Sequence, residues 1–555
     1  MTEPQAVELA PHYYRDNFLR LCGTVESQYA DILEQPEQRL LATFHRLDFT
    51  AQCLYVRLVS RVGPWFRESR LSYAELGELA PAVDQLLASD MALSANALTA
   101  PELGRLYTRA ELVQAFGARL GSPLPAGKSA LLDGIAELEL GDAEAWQMLQ
   151  AVDDGRVIAP AGQEQVQLLQ LLFFGNRRQG LTEFVLSDLG VARYYPYQLD
   201  RAHRLFPDRS ALEEYLHCAA LSDLWYELRE QDDMGEILDL ADEMSGTRMR
   251  FPSSETRWHR LCNSVARELE RSGEDDRALR LYRHSRRHPA RERSARLLER
   301  GEQWQACIDL CREIIDGPWC EEEGEAAARI MPRVRRKLDG SRVTRRQDRF
   351  EHSRLRLPRA EGSVELLAAD ALSDDWGQVH YVENRLMNTL FGLAFWEQIF
   401  EPVPGAFNNP YQSVPTDMYD SGFRHRRQAI LTARLAQLRE GDVGLALRSA
   451  YQRYYGFQCR WVDWVRIEAA LVAAATEVIP AAHLLAIWER MLFDPGENRR
   501  GFPDLIALGD EPGSYCMIEI KGPGDALQDS QKRWLRFFAT EGVPAQVTWV
   551  DWLDD

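Results

Sequence analysis

The sequence predicts a multi-domain, mainly α-helical protein, with helical modules first, an irregular helical-repeat array in the middle and an α/β domain at the C-terminus. Three observations predict it. A chain of 555 residues outgrows a single hydrophobic core and divides into about three to five domains. Apolar residues recur at three- and four-residue spacing in residues 14–59, and 210–331 is almost all helix-forming, the pattern of amphipathic helices. Residues 501–508 and 515–522 instead read as two short strands parted by a Gly/Pro turn, a hairpin pattern.

Composition narrows the class. Apolar residues make up 45% and charged residues 27% of the chain, globular values that exclude a disordered or collagen-like protein. With 65 basic against 85 acidic residues the net charge is −20, the wrong sign, taken whole, for a polycation that coats nucleic acid or membrane. Nine cysteines are scattered from Cys22 to Cys516, which points to a reducing compartment. Cys307, Cys311 and Cys320 cluster, but no fourth ligand sits at zinc-like spacing. The N-terminus lacks the basic and apolar regions of a signal peptide. The longest apolar stretch, 469–488, is broken by Glu477, Pro480 and His483, so it reads as a core helix. A cytoplasmic protein, not secreted and without a membrane partner, is expected.

From the N-terminus, Tyr14, Leu19, Leu21, Val25, Tyr29 and Leu33, then Phe49, Leu54, Tyr55, Leu58 and Val59, mark a first set of helices. Residues 71–94 follow as a helix–turn–helix pattern in which Ser72 and Glu75 form a capping box and Pro81 opens the second helix. A winged-helix or helix–turn–helix module and plain packing account for it equally well. Thr108 then caps a helix carrying Leu112, Val113 and Phe116, and a Gly/Pro loop over 121–127 leads through Lys128 and Ser129 into a helix with Leu131, Leu132, Ile135 and Leu138. Two short helices joined by a loop ending in Gly-Lys resemble the SAP motif of DNA-binding proteins, in which the lysine side and the second helix's N-terminus face phosphate. A nucleotide-binding P-loop does not fit, because Gly121 and Gly127 enclose five residues where that motif needs about four.

Between 168 and 199 aromatic and basic residues alternate: Phe173, Phe174, Arg177, Arg178, Phe184, Arg193, Tyr194, Tyr195 and Tyr197. Arginines beside exposed rings can grip a DNA strand, but rings at this density read first as core, with Arg177 and Arg178 kept as DNA-contact candidates. In 210–331, Ala278 and Ala306 lie where an array of helical hairpins needs small residues. Their separation of 28 departs from the roughly 34 residues of a tetratricopeptide repeat, so the array is irregular.

Charge is unevenly spread. Residues 213–243 carry eleven acids against Arg229, whereas 248–300 carry fifteen arginines against eight acids, and 329–349 hold nine basic residues against Asp339 and Asp348. The net charge is −18 over 1–247, +7 over 248–349 and −9 over 350–555. Clustered arginines suit bidentate phosphate contacts with strong salt dependence, so the total conceals a basic stretch.

The chemistry concentrates in the C-terminal hairpin. Glu519 and Lys521 are two apart on one strand, so alternation puts both on one face, and Asp504 can reach them from the other strand. An Asp, fourteen intervening residues, then Glu-x-Lys resembles the spacing of PD-(D/E)xK nucleases. Phosphodiester hydrolysis uses these residue types: hard carboxylates hold Mg²⁺ or Mn²⁺, which acidifies a water, while lysine orients that water or offsets developing charge. The chain has four lysines against 61 arginines, so a lysine here answers a need for a compact donor rather than a planar fork. The plain alternative is an edge-strand salt bridge.

The run from Pro503 and Asp504 through Glu519, Ile520, Lys521 and Gly522 to Ser530, Gln531, Trp534 and Leu535 resembles the virus-type replication-repair nuclease (VRR-NUC) domain, with 543–552 as a further strand. His380-Tyr-Val-Glu383, Trp396-Glu397, Asn408-Asn409-Pro410 and Pro415-Thr-Asp417, with the N-terminal helices, the SAP-like unit and the irregular array, are similar to the Fanconi-associated nuclease family over essentially the whole chain. The resemblance implies a structure-specific DNA nuclease that cuts near 5′ flaps, trims DNA 5′→3′ and acts in interstrand-crosslink repair. It implies branched or 5′-flap DNA as partner and Mg²⁺ or Mn²⁺ as cofactor. The implied catalytic residues are Glu383, on a lead-in helix, with Asp504, Glu519, Lys521 and Gln531; the implied metal set is Glu383, Asp504, Glu519 and Ile520. Glu397 competes with Glu383 for its place. Lys128, Lys532 and Arg533 join Arg177 and Arg178 as DNA contacts, whereas Trp534 packs. No ubiquitin-binding zinc finger of the longer members is found, and the arginine bias suits a bacterial, nucleoid-associated enzyme. The expected domains are an N-terminal helical domain at 1–70, a SAP-like DNA-binding domain at 71–205, a repeat domain at 206–375 and the nuclease domain at 376–555. The rival is a non-catalytic helical scaffold that only binds DNA, against which the intact Asp, Glu and Lys set speaks.

Overall fold

The computed structural model describes residues 10–553, apart from 62, 182–183, 185–191, 342–347, 360, 421 and the side chain of Ala100. It divides into two units, Met1–Ala192 and Arg193–Asp555, so the boundary expected near 205 falls earlier.

In the first unit, helices Tyr13–Tyr29, Gln35–Arg46 and Phe49–Val59 meet over Phe18, Phe44 and Tyr55, whose rings pack edge to face or tilted. A three-stranded antiparallel sheet follows, Val157–Pro160 lying between Phe66–Arg67 and Ala92–Ser94. The expected helix pair over 71–94 is half present. Ala80–Ala88 is helical with Pro81 in its first turn, but 71–79 is turn and coil. Glu75 does not cap: its carboxylate pairs with Arg57 at 2.5 Å and accepts from Tyr14 Oη at 3.2 Å, a tertiary contact that outcompetes the local cap. Helices Ala100–Leu106, Arg109–Leu120, Lys128–Glu137 and Asp142–Gln150 form the SAP-like bundle around Leu103, Leu112, Phe116, Leu131 and Leu149, with the capping box of Thr108 and Glu111 in place. The bundle is an insertion between two strands of the small sheet. Phe173, Phe174 and Phe184 are core, as expected; 182–183 and 185–191 of that aromatic stretch lie outside the described residues.

The second unit opens with seven helices of unequal length between Arg209–Gln231 and Glu321–Asp339, the irregular array. Ala278 is buried at a helix contact, but Ala306 is exposed, so only one of the two small residues serves that purpose. The basic stretch also differs from expectation. Arg291, Arg293, Arg300 and Arg333 pair with Glu323, Glu270, Asp275 and Glu299 on other helices, Arg287 pairs with Asp420 and Arg296 pairs with Glu292 on its own helix, so much of the charge is spent inside the fold. Residues 342–347 of the run at 329–349 lie outside the described residues.

The array leads into a five-stranded sheet in the order His352–Pro358, Ala545–Leu553, Tyr515–Lys521, Leu505–Leu508, Gln378–Tyr381. The first three strands are parallel and the last two add antiparallel. The boundary expected at 375/376 cuts this fold, because strand His352–Pro358 and helix Val364–Trp376 belong to it. Alternation sorts the two faces: Cys516, Ile518 and Ile520 pack on Ala368 and Ala369, while Tyr515 and Met517 join the large core containing Trp534 and Phe538. The apolar stretch at 469–488 is a buried, bent pair, Ala469–Val478 and Ala481–Phe493, meeting at 111°. Among the described residues no single helix is long and apolar enough to cross a membrane.

Candidate active site

Glu519 and Lys521 lie on the middle strand of the sheet, not on an edge, and point to the face covered by helix Asp529–Glu541. Lys521 Nζ is 2.7 Å from Glu519 Oε1, and the two residues are 8% and 1% exposed. Gln531, in the first turn of the covering helix, donates from Nε2 to the same Oε1 at 2.5 Å, while its Oε1 accepts from Gln528 N at 2.8 Å and caps the helix. Asp504 Oδ2 accepts from Ile520 N at 2.9 Å across the hairpin. The sequence thus correctly paired Glu519 with Lys521 and brought Asp504 to them.

Glu383 joins the group from a different position than expected. It sits in the turn between strand Gln378–Tyr381 and helix Arg385–Ala394, not on the helix, at φ +38°. Its N–H donates to the Asp504 carbonyl at 2.8 Å. Its carboxylate accepts from Tyr381 Oη at 3.2 Å and from Asn384 Nδ2 at 3.3 Å, and Asn384 Oδ1 in turn accepts from Phe502 N at 3.1 Å. These supports had no sequence signal beyond adjacency to Glu383. Glu397 is elsewhere: it is largely exposed and bonds Tyr454 Oη at 2.9 Å and Arg453 at 3.4 Å. Glu383 and Asp504 line a cavity of about 650 Å³ together with Gln531 and two exposed arginines, Arg329, which opens the basic run at 329–349, and Arg500, which sequence reasoning had not singled out.

Burial dominates the electrostatics. It pushes the Asp504 carboxyl up to about 6 and the Glu519 carboxyl up to about 7; Asp504 and Glu383 raise Glu519 further, and Lys521 opposes both shifts. Glu519 Oε2 is buried without a hydrogen-bond partner. An orphaned carboxylate oxygen beside a second raised carboxyl is a donor set suited to a small hard cation. Asp504 and Glu519 would hold it, with Glu383, whose main chain is bonded to that of Asp504; Ile520, whose side chain is buried and apolar, could contribute only its main-chain carbonyl. Among the described residues no three acidic, imidazole or thiol groups already stand at metal-holding distance.

The DNA-contact candidates separate. Lys532 lies on the covering helix, about a third exposed, with Nζ 3.6 Å from Asp529. Arg533 departs from its expected part: its side chain is 10% exposed and held between Glu325 and Glu497, each at 3.4 Å, so it braces the helix. Trp534 packs on Phe502 with centroids 4.1 Å apart and donates to the Arg500 carbonyl. Lys128 begins helix Lys128–Glu137, and Arg177 and Arg178 are exposed, all three in the first unit.

Comparison with known proteins finds relatives along nearly the whole chain. The family model described as "FAN1, HTH domain" matches residues 12–92, and that of the VRR-NUC domain matches 438–552. A Fanconi-associated nuclease 1 homolog of Pseudomonas aeruginosa is 37% identical across 98% of this chain and 97% of its own. The human Fanconi-associated nuclease 1 is 23% identical across 96% of this chain, which spans 62% of that longer protein. Crystal structures of paFAN1 bound to gapped DNA with a 2-nt or a 1-nt 5′ flap superpose with TM-scores of 0.81 and 0.78, at 36% and 37% identity, covering 99% and 98% of this chain and all of theirs. A carboxylate–lysine site on the middle strand of its sheet, and similarity along nearly its whole length, place this chain in the Fanconi-associated nuclease family, whose VRR-NUC domain works with a divalent metal ion.

Proposed function

We propose that the protein is a structure-specific nuclease that cuts phosphodiester bonds near 5′ flaps in branched DNA, trims 5′→3′ and serves DNA repair, including that of interstrand crosslinks. The observation that carries this is the half-buried Asp504 and buried Glu519 with Lys521 bonded to Glu519, Asp504 lining a cavity of about 650 Å³. The relatives crystallised on 5′-flap DNA support the substrate class.

A bound Mg²⁺ or Mn²⁺ would supply Lewis acidity to a phosphate oxygen and an acidified water. Asp504, Glu519 and Glu383 with the Ile520 carbonyl would hold it. The protein's own groups do the positioning. Lys521, pinned by Glu519, offers a compact ammonium to the attacking water or to charge developing on phosphate. Gln531 fixes the Glu519 rotamer by holding Oε1, which leaves Oε2 directed to its ligand. Lys532, partly exposed on the covering helix, contacts the backbone without reading sequence.

Nicking of an end-labelled 5′-flap duplex in Mg²⁺ or Mn²⁺ tests the assignment. Asp504→Ala and Glu519→Gln should each lower cleavage by roughly a thousandfold or more, with flap-DNA affinity retained. Wild-type cleavage by Asp504→Ala would sink it.

A further inference from the structure

A second cavity, of about 330 Å³, lies wholly in the N-terminal unit and is lined by Arg61, Trp65, Arg67, Arg70, Glu102 and Arg105 among others. Its charge opposes its surroundings: residues 1–192 hold 15 basic against 25 acidic residues, yet this lining has four arginines and one acid. Not all of that charge is available. Arg67 is buried and fully engaged by Asp153, Glu111 and the Leu106 carbonyl, so it forms a floor. Arg70 shares Glu111 but leaves 66% of its side chain exposed. The single acid is saturated: the Glu102 carboxylate accepts from Thr99 N, Thr99 Oγ1 and Trp65 Nε1 at 2.7–2.8 Å. Arg61 is exposed and its guanidinium bonds the neutral Tyr73 hydroxyl at 3.1 Å, above the Phe66 ring, with no ion pair among the described residues. Arg105 is exposed and makes no direct ion pair among the described residues, its charge acting on Glu102 only from a distance.

Trp65 supplies the second half of the chemistry. Its Nε1–H is tied to Glu102 at 2.8 Å, which sets the plane of the indole at the cavity wall, and no ring or guanidinium covers its face among the described residues. A half-buried indole fixed at the wall of a cavity that Arg61 and Arg105 also line matches a planar base carrying a phosphate. A phosphate alone would need only the arginines, and an apolar ligand would leave them unpaired.

We propose that this cavity seats one nucleotide of a single-stranded DNA segment, its base on the Trp65 indole and its phosphates toward Arg61 and Arg105. The proposal rests on the nuclease reading above and adds to it a grip on unpaired DNA away from the cutting site. A free mononucleotide offers the same chemistry, but a strand brings flanking phosphates to two separate arginines and to Arg70.

The test is fluorescence polarisation of a labelled oligothymidylate, without divalent metal, over a salt series, with thymidine monophosphate as competitor. Trp65→Ala should weaken binding about tenfold, within the range for loss of one base stack, and Trp65→Phe should restore most of it. Arg61→Glu with Arg105→Glu should weaken binding and flatten the log K against log[salt] slope by about 1 to 2. Cleavage of the flap duplex reads the catalytic assignment and metal-free oligothymidylate binding reads this one, so the two failures are told apart. Wild-type affinity in both Trp65→Ala and the double arginine variant would overturn the proposal, as would equal potency of the mononucleotide and the oligomer. The arginines are exposed, so their variant keeps the test decisive should Trp65→Ala unfold.

Discussion

Glu519 carries two opposed burdens, a buried charge and a chemical task. Burial and Asp504 lift its carboxyl to about 7, and Asp504 rises to about 6, both above the unfolded values near 4. Folding therefore favours the protonated forms: their contribution is complete below about pH 4 and is lost as pH rises through 6 to 7. Metal-free protein should lose stability on the order of 6 kcal/mol between pH 4 and pH 8 as the two carboxyls ionise, measurable by denaturant titration in chelator. Glu519→Gln should flatten that dependence, and Mg²⁺ at pH 8 should raise Tm in the wild type only. Cleavage should run the other way, rising with pH as both groups ionise to hold the cation. A two-residue spacing was enough to put Glu519 beside Lys521, because strand alternation is rigid. Glu383 was legible by order but not by conformation: its φ of +38° is set by the Asp504 carbonyl and the Asn384 bridge, which no local pattern encodes.

The active face depends on how closely helix Asp529–Glu541 approaches the chain leading to Asp504. Gly501 sits at φ +82°, and a Cβ there would meet the Ser530 backbone at 2.7–2.9 Å. Gly501→Ala should cost about 2 kcal/mol or more, seen as a fall in Tm, and should lower cleavage even where the protein stays folded, because Gln531 follows Ser530 directly. Gln531→Leu separates the two effects. Loss of the cap costs about 1 kcal/mol, while Glu519 left unheld should lower kcat some 10- to 100-fold in a flap-cleavage assay. Helices with strong local signals were readable, as with the Thr108 capping box. The Ser72–Glu75 signal misled because Arg57 and Tyr14, close in space but not in sequence, claimed the glutamate.

Across the chain as a whole, net charge says little until arginines are sorted by partner. Arg293 is held by the buried Glu270, whereas Arg329 faces the catalytic cavity with no ion pair among the described residues. Arg293→Gln should cost about 1 to 2 kcal/mol, because it removes one of the two guanidinium partners of the buried Glu270 and leaves Arg267 in place, without changing how DNA affinity depends on salt. Arg329→Gln should leave Tm unchanged and reduce the salt slope of flap-DNA binding by about 1. The basic stretch was visible in the sequence; which of its charges were spent was not, because pairing is decided between helices far apart in the chain.

The SAP-like insertion leaves and re-enters the small sheet at neighbouring points, where Ala95 N donates to the Val157 carbonyl at 2.8 Å. By geometry it is a detachable cassette that a short loop could replace. Arg67 denies it that freedom: the buried guanidinium belongs to the sheet, yet both of its carboxylates, Glu111 and Asp153, are supplied by the inserted segment. Excising the cassette would strand a cation in the interior. A lineage that discarded the bundle would have to replace Arg67 in the same stroke, so a single residue records whether this module has ever been dispensable.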